Sequence, residues 1–259
     1  MDLATIIGIV LAIFSLLISV VIEGGSLGSL INIPAAILVI GGTLGATMTC
    51  FSIKDFVKLP KWLTVALKEK KTDSGEIIKT IVELAETARR EGILKLENML
   101  EDLSNDFLKQ GITLVVDGTD YEVTKTILHT ELDLMRERHQ AGIKFFEAAG
   151  GYAPTMGIIG TVMGLVHVLG NLSDAGSLGG AIATAFIATF YGVSSANIFW
   201  LPIAAKLKSR DSKEALARDI IIEGVLSIQA GESPRIIEDR LKSFLAPPER
   251  GKSKEAAKV

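Results

Sequence analysis

Charged side chains are missing from four long stretches of this 259-residue chain, namely residues 3–22, 24–53, 148–173 and 175–205. None of them contains Asp, Glu, Lys or Arg, although these residue types make up 22% of the sequence. At a rise of about 1.5 Å per residue, even the shortest stretch forms a helix roughly 30 Å long, which matches the hydrocarbon core of a bilayer. The sequence therefore predicts an all-α integral membrane protein with four transmembrane helices.

The basic residues predict how these helices are oriented. Of the 27 Lys and Arg residues, 15 lie between positions 51 and 147 and the other 12 follow position 205. The positive-inside rule places both regions in the cytoplasm, and an even number of spans places the N-terminus there as well as the C-terminus. We thus expect a multi-pass protein of the inner membrane. The same two regions hold 27 acidic residues, so the charge balance does not support nucleic-acid binding.

The first stretch has a competing interpretation as a cleaved signal peptide. A signal peptide begins with basic residues, whereas this chain begins Met1-Asp2-Leu3, and its apolar stretch is long enough to span a bilayer. A retained first helix is therefore favoured. The single cysteine, Cys50, cannot form an intramolecular disulfide. It is interpreted as a small apolar side chain that contributes to packing in or near span two.

The distribution of charge predicts four segments. Residues 1–52 hold transmembrane helices 1 and 2, and residues 53–147 form a helical cytoplasmic domain. Residues 148–208 hold transmembrane helices 3 and 4, and residues 209–259 form a helical cytoplasmic C-terminal segment with a charged tail. Span four extends beyond the membrane, because its 31 uncharged residues would form a helix about 46 Å long.

Local signals subdivide the middle domain. Lysines and apolar residues around Trp62 alternate with helical spacing, which predicts a helix lying in the cytoplasmic membrane interface. Asp73 is a candidate N-cap for the next helix and Gly92 a candidate break. Further helices are predicted over 93–109 and 121–147, separated by Gly111 and by turn residues at 117–120, and the second of these helices continues into span three.

Glycine pairs predict where membrane helices approach each other. Gly41 and Gly45 in span two, and Gly160 and Gly164 in span three, are each four residues apart and so share one helix face. This spacing predicts close packing against a neighbouring helix and indicates nothing about chemistry.

Polar groups inside the spans are few. Thr161 and Thr189 are among several hydroxyl residues, which either bond to their own helix or line a polar path. Pro154 and Pro202 each leave a helix carbonyl without its usual donor. Since the spans contain no carboxylate and no catalytic or metal-binding set stands out, the sequence predicts neither an enzyme nor a cofactor.

Two motifs resemble a known family. The run Ala88-Arg89-Arg90-Glu91-Gly92 followed by Glu97, and the run Ala153-Pro154-Thr155-Met156-Gly157-Ile158-Ile159-Gly160-Thr161-Val162-Met163-Gly164-Leu165, resemble the flagellar motor stator A-subunits (MotA/PomA). The second motif is shared with the wider superfamily that includes ExbB and TolQ. Together with the four-span topology, the resemblance covers about residues 1–245.

The resemblance implies a motor function. A-subunits form a homopentamer ring around two B-subunits of the MotB/PomB type, which supply the ion-carrying aspartate. Ion flow turns the ring, and its cytoplasmic domains push the rotor protein FliG. The resemblance also implies roles for seven residues: Arg89, Arg90 and Glu97 in rotor binding, Pro154 and Pro202 in coupling, and Thr161 and Thr189 in the ion path.

Thr161 bears on the transported ion. The resemblance associates a threonine there with sodium-driven members, and alanine with many proton-driven ones, so sodium is favoured over proton. Two other functions stay open. One is an ExbB/TolQ-like proton-channel subunit that energises cell-envelope transport, and the other is a passive membrane scaffold.

Overall fold

The structure, a computed structural model, describes residues 3–68, 73–170 and 175–250. Every regular element within these ranges is a helix. Among the described residues, four stretches are long and apolar enough to cross a membrane, namely Leu3–Ile22, Leu27–Cys50, Tyr121–Gly170 and Leu178–Gln229. The predicted fold class, an all-α protein with four membrane spans, is confirmed. Most of the predicted charged tail, residues 251–259, lies outside the described residues.

The first two spans differ in regularity. Helix α1 runs over Leu3–Ile22, as its uncharged stretch predicts. After a 3-10 turn at Leu27–Leu30, helix α2 comprises Ile33–Ala36, a π-helical stretch Ile37–Gly41, and Gly42–Cys50. The Asn32 side chain accepts a hydrogen bond from the Ala35 amide at 2.9 Å, which satisfies one of the free donors at the start of α2.

Two short helices follow α2. Helix α3 spans Ile53–Phe56 and helix α4 spans Leu59–Leu67. Ser52 caps α3 by accepting the Asp55 amide at 3.3 Å, and Pro60 lies in the first turn of α4, where an amide would have no helical acceptor.

The next helices belong to the charged middle region. Helix α5 spans Ser74–Glu91, and Asp73 caps it by accepting from the Gly75 and Glu76 amides. Gly92 ends the helix with φ of +89°, a conformation that glycine adopts without strain. Both predictions for this helix are confirmed.

The prediction of one helix over 93–109 is wrong. The chain forms a 3-10 helix at Ile93–Met99, and helix α6 begins only at Asp106, where Asn105 caps it. It runs to Val116 and includes Gly111. A Cβ at this position would lie 2.8 Å from the Val225 side chain, so a larger residue would clash there. Close packing, and not a chain break, explains this glycine.

Two long helices complete the fold. Helix α7 runs without interruption over Tyr121–Gly170, so the predicted continuation into span three is confirmed. Helix α8 comprises Ala175–Ser195, a π-helical stretch Ala196–Trp200, and Leu201–Gln229, and so extends well past the last uncharged residue of span four. Two shorter helices follow, α9 at Pro234–Lys242 and α10 at Pro247–Arg250.

The chain folds into two compact units. One, the span unit, comprises residues 1–69 and 139–209, and the other, the charged unit, comprises residues 70–138 and 210–259. The charged unit has a core of mainly aliphatic side chains from α5, the 3-10 helix at Ile93–Met99, α6, α7, α8 and α9. Its largest fully buried members are Ile81, Leu84, Leu96, Leu108, Ile112, Leu128, Ile220 and Ile221.

Aromatic side chains dominate the core of the span unit. Phe145 and Phe146 of α7 are fully buried, and the Phe146 ring lies 6.0 Å from that of Trp200. The Trp62 ring lies 5.7 Å from Phe145 and covers Gly142, where a Cβ would approach it to 3.1 Å. Trp62 is therefore partly buried against α7.

Of the two predicted glycine contacts, the pair in span three packs closely within this chain and the pair in span two does not. No atom lies within 4 Å of a Cβ placed at Gly41 or Gly45, so neither is a packing contact within this chain. The close approach in α2 is at Gly42, where a Cβ would lie 2.8 Å from the Met156 sulfur. Gly160 and Gly164, in contrast, both pack tightly against α8, as predicted.

Candidate functional site

Spans three and four meet along a column of very small residues. A Cβ on Gly157 of α7 would lie 2.8 Å from the Ala188 carbonyl oxygen, and one on Gly192 of α8 would lie 2.5 Å from that of Ala153. Such distances leave no room for a methyl group, so the two backbones approach directly. Glycine is required at these positions by contact between backbones.

Thr161 and Thr189 face each other across this column. Their hydroxyls form a hydrogen bond to one another, and both side chains are half-buried. Thr161 Oγ1 lies 3.0 Å from the Ala185 carbonyl oxygen of α8 and 3.2 Å from that of Gly157, and Thr189 Oγ1 is also 3.2 Å from the Gly157 oxygen. Thr161 therefore bonds both to its own helix and to the neighbouring one.

These contacts gather four oxygen atoms in one place. Two are hydroxyls and two are main-chain carbonyls, and all are uncharged. Such oxygens can replace part of the hydration shell of a cation, as the carbonyls of selectivity filters do. The four uncharged stretches contain no carboxylate, so these spans place no acidic side chain beside the four oxygens.

The two prolines lie inside neighbouring helices. Pro154 lies inside α7, and Pro202 follows the π-helical stretch Ala196–Trp200 of α8. At the end of that stretch the Leu201 amide donates to the Ala196 carbonyl, five residues back, because Pro202 has no amide to continue the α-helical pattern.

The proline segments also touch each other. Pro154 leaves the Gly150 carbonyl without its helical donor, because that donor would be the amide four residues on. A Cβ on Gly150 would lie 2.5 Å from Leu201 Cδ2 and 3.5 Å from Trp200 Cβ. The weakened turn of α7 thus packs directly on the π-helical stretch of α8.

Tyr191 is a polar contact that sequence reasoning missed. Its hydroxyl donates to the Leu30 carbonyl and accepts the Asn32 amide at 3.1 Å, so it joins α8 to the start of α2. The only sequence signal was a phenol in an apolar span, which does not reveal its partners. Tyr191 therefore holds the start of α2 against α8.

The charged unit presents a basic cleft. Arg89 and Arg90 are exposed in the last turn of α5, and they line an open hollow of about 620 Å³. Its other lining residues are Glu86, Ser233, Pro234 and Arg235. Glu97 is exposed on the 3-10 helix that follows α5 and is not among the residues that line the hollow. Arg235, at the start of α9, was not predicted.

Comparison with known proteins assigns this chain to a family. Residues 6–92 match the family model described as Motility protein A N-terminal, and residues 99–220 match that of the MotA/TolQ/ExbB proton channel family. Motility protein A of Bacillus subtilis is 40% identical over 251 residues, which cover 96% of this chain and 93% of that protein. This chain belongs to the motility protein A family. The resemblance predicted from the motifs is confirmed.

Other members and solved structures agree with this assignment. Chemotaxis protein PomA of Vibrio alginolyticus is 38% identical, with coverage of 95% of this chain and 96% of PomA. The structure of the flagellar MotAB stator complex from Bacillus subtilis matches with a TM-score of 0.90 at 39% identity, over 96% of this chain and 98% of that chain. A structure of C. jejuni MotAB matches with a TM-score of 0.90 at 30% identity, over 95% and 97%.

The family defines the class of protein. Motility protein A members are components of motor stators and ion channels, so this chain is not an enzyme. It is a multi-pass protein of the inner membrane, in keeping with its four candidate spans.

Proposed function

We propose that this chain is the A-subunit of a flagellar stator, which forms an ion channel with a B-subunit of the MotB/PomB type and converts ion flow into torque. The main observation is the uncharged oxygen cluster around Thr161 and Thr189. A path that contains oxygen ligands and lacks a carboxylate needs an acid from another chain. The solved relatives, which are named as MotAB complexes, support this arrangement.

Sodium is the ion that this cluster suits. A sodium ion needs several oxygen ligands when it leaves water, and two hydroxyls with two carbonyls supply them. A proton would need only the carboxylate of the B-subunit. We therefore propose Na⁺ as the transported ion and H⁺ as the alternative.

Pro154 and Pro202 are proposed to couple ion binding to movement. Their segments are in contact through Gly150 and Leu201, and both lack a regular helical hydrogen bond. A helix with a missing hydrogen bond bends more easily than a regular one. A change at the threonine pair can thus be relayed along α7 and α8.

The basic cleft is proposed to contact the rotor protein FliG. Arg89, Arg90 and Glu97 are all exposed, which leaves them available for charge pairs with a partner. Arg235 adds a third guanidinium to the cleft. In the proposed assembly, five copies surround two B-subunits, and both termini and the charged unit lie in the cytoplasm.

The oxygen cluster can be tested with a pair of substitutions. Thr161→Val keeps the branched shape and removes the hydroxyl, so it should lower swimming speed severalfold and raise the external Na⁺ concentration needed for half-maximal speed. Thr161→Ser keeps the hydroxyl and should largely preserve both values. A parent strain whose speed does not change with external Na⁺ would refute the sodium proposal.

The ExbB/TolQ-like alternative is supported only by the match of residues 99–220 to the shared family model. The additional match of residues 6–92 to the motility protein A N-terminal model favours the flagellar function. Identifying the protein that co-purifies with this chain would distinguish the two. A partner with a peptidoglycan-binding domain supports the stator, whereas a TonB-type partner supports the alternative.

A further inference from the structure

The outward face of α3 and α4 combines lysines with exposed apolar side chains. Lys54, Lys58 and Lys61 are exposed, and Ile53 and Val57 keep 76% and 74% of their surface accessible. Residues 51–68 contain four lysines and one aspartate, which gives them a formal charge of +3. Exposed apolar groups beside a cluster of positive charge are typical of a surface that binds anionic membranes.

The opposite face of these helices is already occupied. Phe51, Phe56 and Trp62 all have ring centroids within 5.4–5.7 Å of the Phe145 ring, and Ala66 is fully buried. These aromatic side chains therefore hold α3 and α4 against α7. The lysines, Ile53 and Val57 remain exposed on the other side, as do Ser52, Pro60, Thr64 and Val65.

Contacts within the span unit place this face at the border of the membrane. The uncharged stretches end at residue 53, begin again at 148 and end at 205. Near these three borders, Cys50 Sγ lies 3.2 Å from the Tyr152 hydroxyl, and the Phe146 ring lies 6.0 Å from that of Trp200. The three borders therefore lie at one level, and Lys54 begins where the hydrocarbon region ends.

We propose that the outward face of α3 and α4 binds anionic phospholipid headgroups of the adjacent leaflet. Lys54, Lys58 and Lys61 would meet the phosphates, while Ile53 and Val57 reach the upper acyl chains. Each lysine near an anionic surface strengthens binding about fivefold. This surface holds the movable spans at a fixed depth, and it acts independently of ion flow.

An ion pair between Lys58 and Asp55 partly neutralises the positive charge of this face. Lys58 Nζ lies 2.9 Å from Asp55 Oδ1, and the Ser52 hydroxyl donates to the other carboxylate oxygen at 2.7 Å. The hydrogen bond from Lys58, followed by that from Ser52, lowers the pKa of Asp55 below its usual value. Asp55 therefore stays ionised near neutral pH and competes with lipid phosphate for Lys58.

The test counts the lipids that the full-length protein retains. The purified chain is equilibrated with equal amounts of phosphatidylglycerol and phosphatidylcholine in detergent, and bound lipids are counted by native mass spectrometry. We expect phosphatidylglycerol to be retained in excess. The triple variant Lys54→Ser, Lys58→Ser, Lys61→Ser should lower that preference at least tenfold, or on the order of a hundredfold if the three lysines act additively.

A matched control removes the same charge elsewhere. The triple variant Lys79→Ser, Lys95→Ser, Lys125→Ser changes three exposed lysines of the charged unit and should leave the lipid preference unchanged. Asp55→Asn should increase the preference severalfold, because it releases Lys58. An equal loss in both triple variants, or no preference in the parent protein, overturns the proposal.

A second measurement distinguishes lipid from protein as the occupant. A water-soluble amine reagent should modify Lys54 and Lys61 in the lipid-free protein, and phosphatidylglycerol should protect them. Protection without added lipid would mean that another copy of the chain covers the face, which overturns the proposal. Neither readout requires a B-subunit or ion flow, so failure here leaves the proposed stator function unaffected.

Discussion

At the scale of single residues, the threonine pair depends on the glycines around it. Gly157 provides the carbonyl that both Thr161 and Thr189 approach to 3.2 Å, and its missing side chain lets the backbone of α8 come close. The polar contact and the backbone contact are therefore inseparable. A change at Gly157 alters the geometry of the oxygen cluster without removing an oxygen.

Gly157→Ala tests this dependence. The added methyl would lie 2.8 Å from the Ala188 oxygen and 2.9 Å from Thr189 Cα, so the helices must separate. We expect the protein to be destabilised by about 1–3 kcal/mol, as for other overpacked cores. Thermal unfolding in detergent, followed by circular dichroism, measures the effect. Gly8→Ala is the control, since nothing lies within 4 Å of its added methyl, and an equal loss there would contradict the explanation.

Arg90 is the residue at which the rotor contact can be tested. Arg90→Glu reverses a charge on the basic cleft, so torque should fall severalfold while the amount of assembled stator stays normal. Torque is measured from the rotation of tethered cells, and assembly from a fluorescent tag. Arg136→Glu makes the same change at an exposed position that does not line the cleft, and its torque should stay normal. Equal torque in both variants would remove Arg90 from the rotor contact.

At the scale of elements, the π-helical stretch of α8 is the irregular segment most closely connected with the proposed coupling. It ends two residues before Pro202, and it packs against the turn of α7 that Pro154 weakens. Two irregular helix segments in contact can rearrange with little loss of hydrogen bonding, since neither has a full set to lose. Regular helices of the same length would resist such a change.

Pro202→Ala restores an amide at this point. The stability of α8 should rise, by up to about 3 kcal/mol, because alanine favours helix interiors far more than proline does. Swimming speed should nevertheless fall, because the segment loses its irregularity. Pro60→Ala is the control, because Pro60 lies in the first turn of α4, where an amide has no helical acceptor. Full motility in Pro202→Ala would contradict the coupling role.

The bounds of the helices show how much of the fold could be predicted from the sequence. The bounds of span one were predictable to the residue, because its uncharged run contains no proline or other helix breaker between Leu3 and Ile22. The ends of α5 followed from Asp73 and Gly92, whose local chemistry is decisive. The predicted helix end at 109 was wrong because Gly111 looks like a helix breaker, and its fit against Val225, more than a hundred residues away, leaves no local trace in the sequence.

The same limit applies to the candidate site. Thr161 and Thr189 could be singled out as hydroxyls on apolar helices, but their mutual hydrogen bond depends on the register of α7 against α8. Tyr191 and Arg235 were missed for that reason, since each acquires its role from residues distant in the chain. Sequence pattern identifies which groups are unusual, and packing decides which of them meet.

At the scale of the whole molecule, the chain separates two kinds of chemistry. The span unit contains uncharged oxygens and irregular helices, whereas the charged unit contains an aliphatic core and an exposed basic cleft. Helices α7 and α8 contribute residues to both units, so each is a covalent connection between the oxygen cluster and the charged unit. This continuity is what a motor subunit requires if ion flow is to produce force elsewhere.

The most direct test of the stator function is swimming after deletion of the gene. In a strain with no second stator set, the deletion should leave cells that assemble flagella but do not swim, and a plasmid copy of this chain should restore swimming. Swimming speed is measured by tracking single cells, with flagella counted in the same culture. Cells of the deletion strain that swim at the speed of the parent would contradict the account.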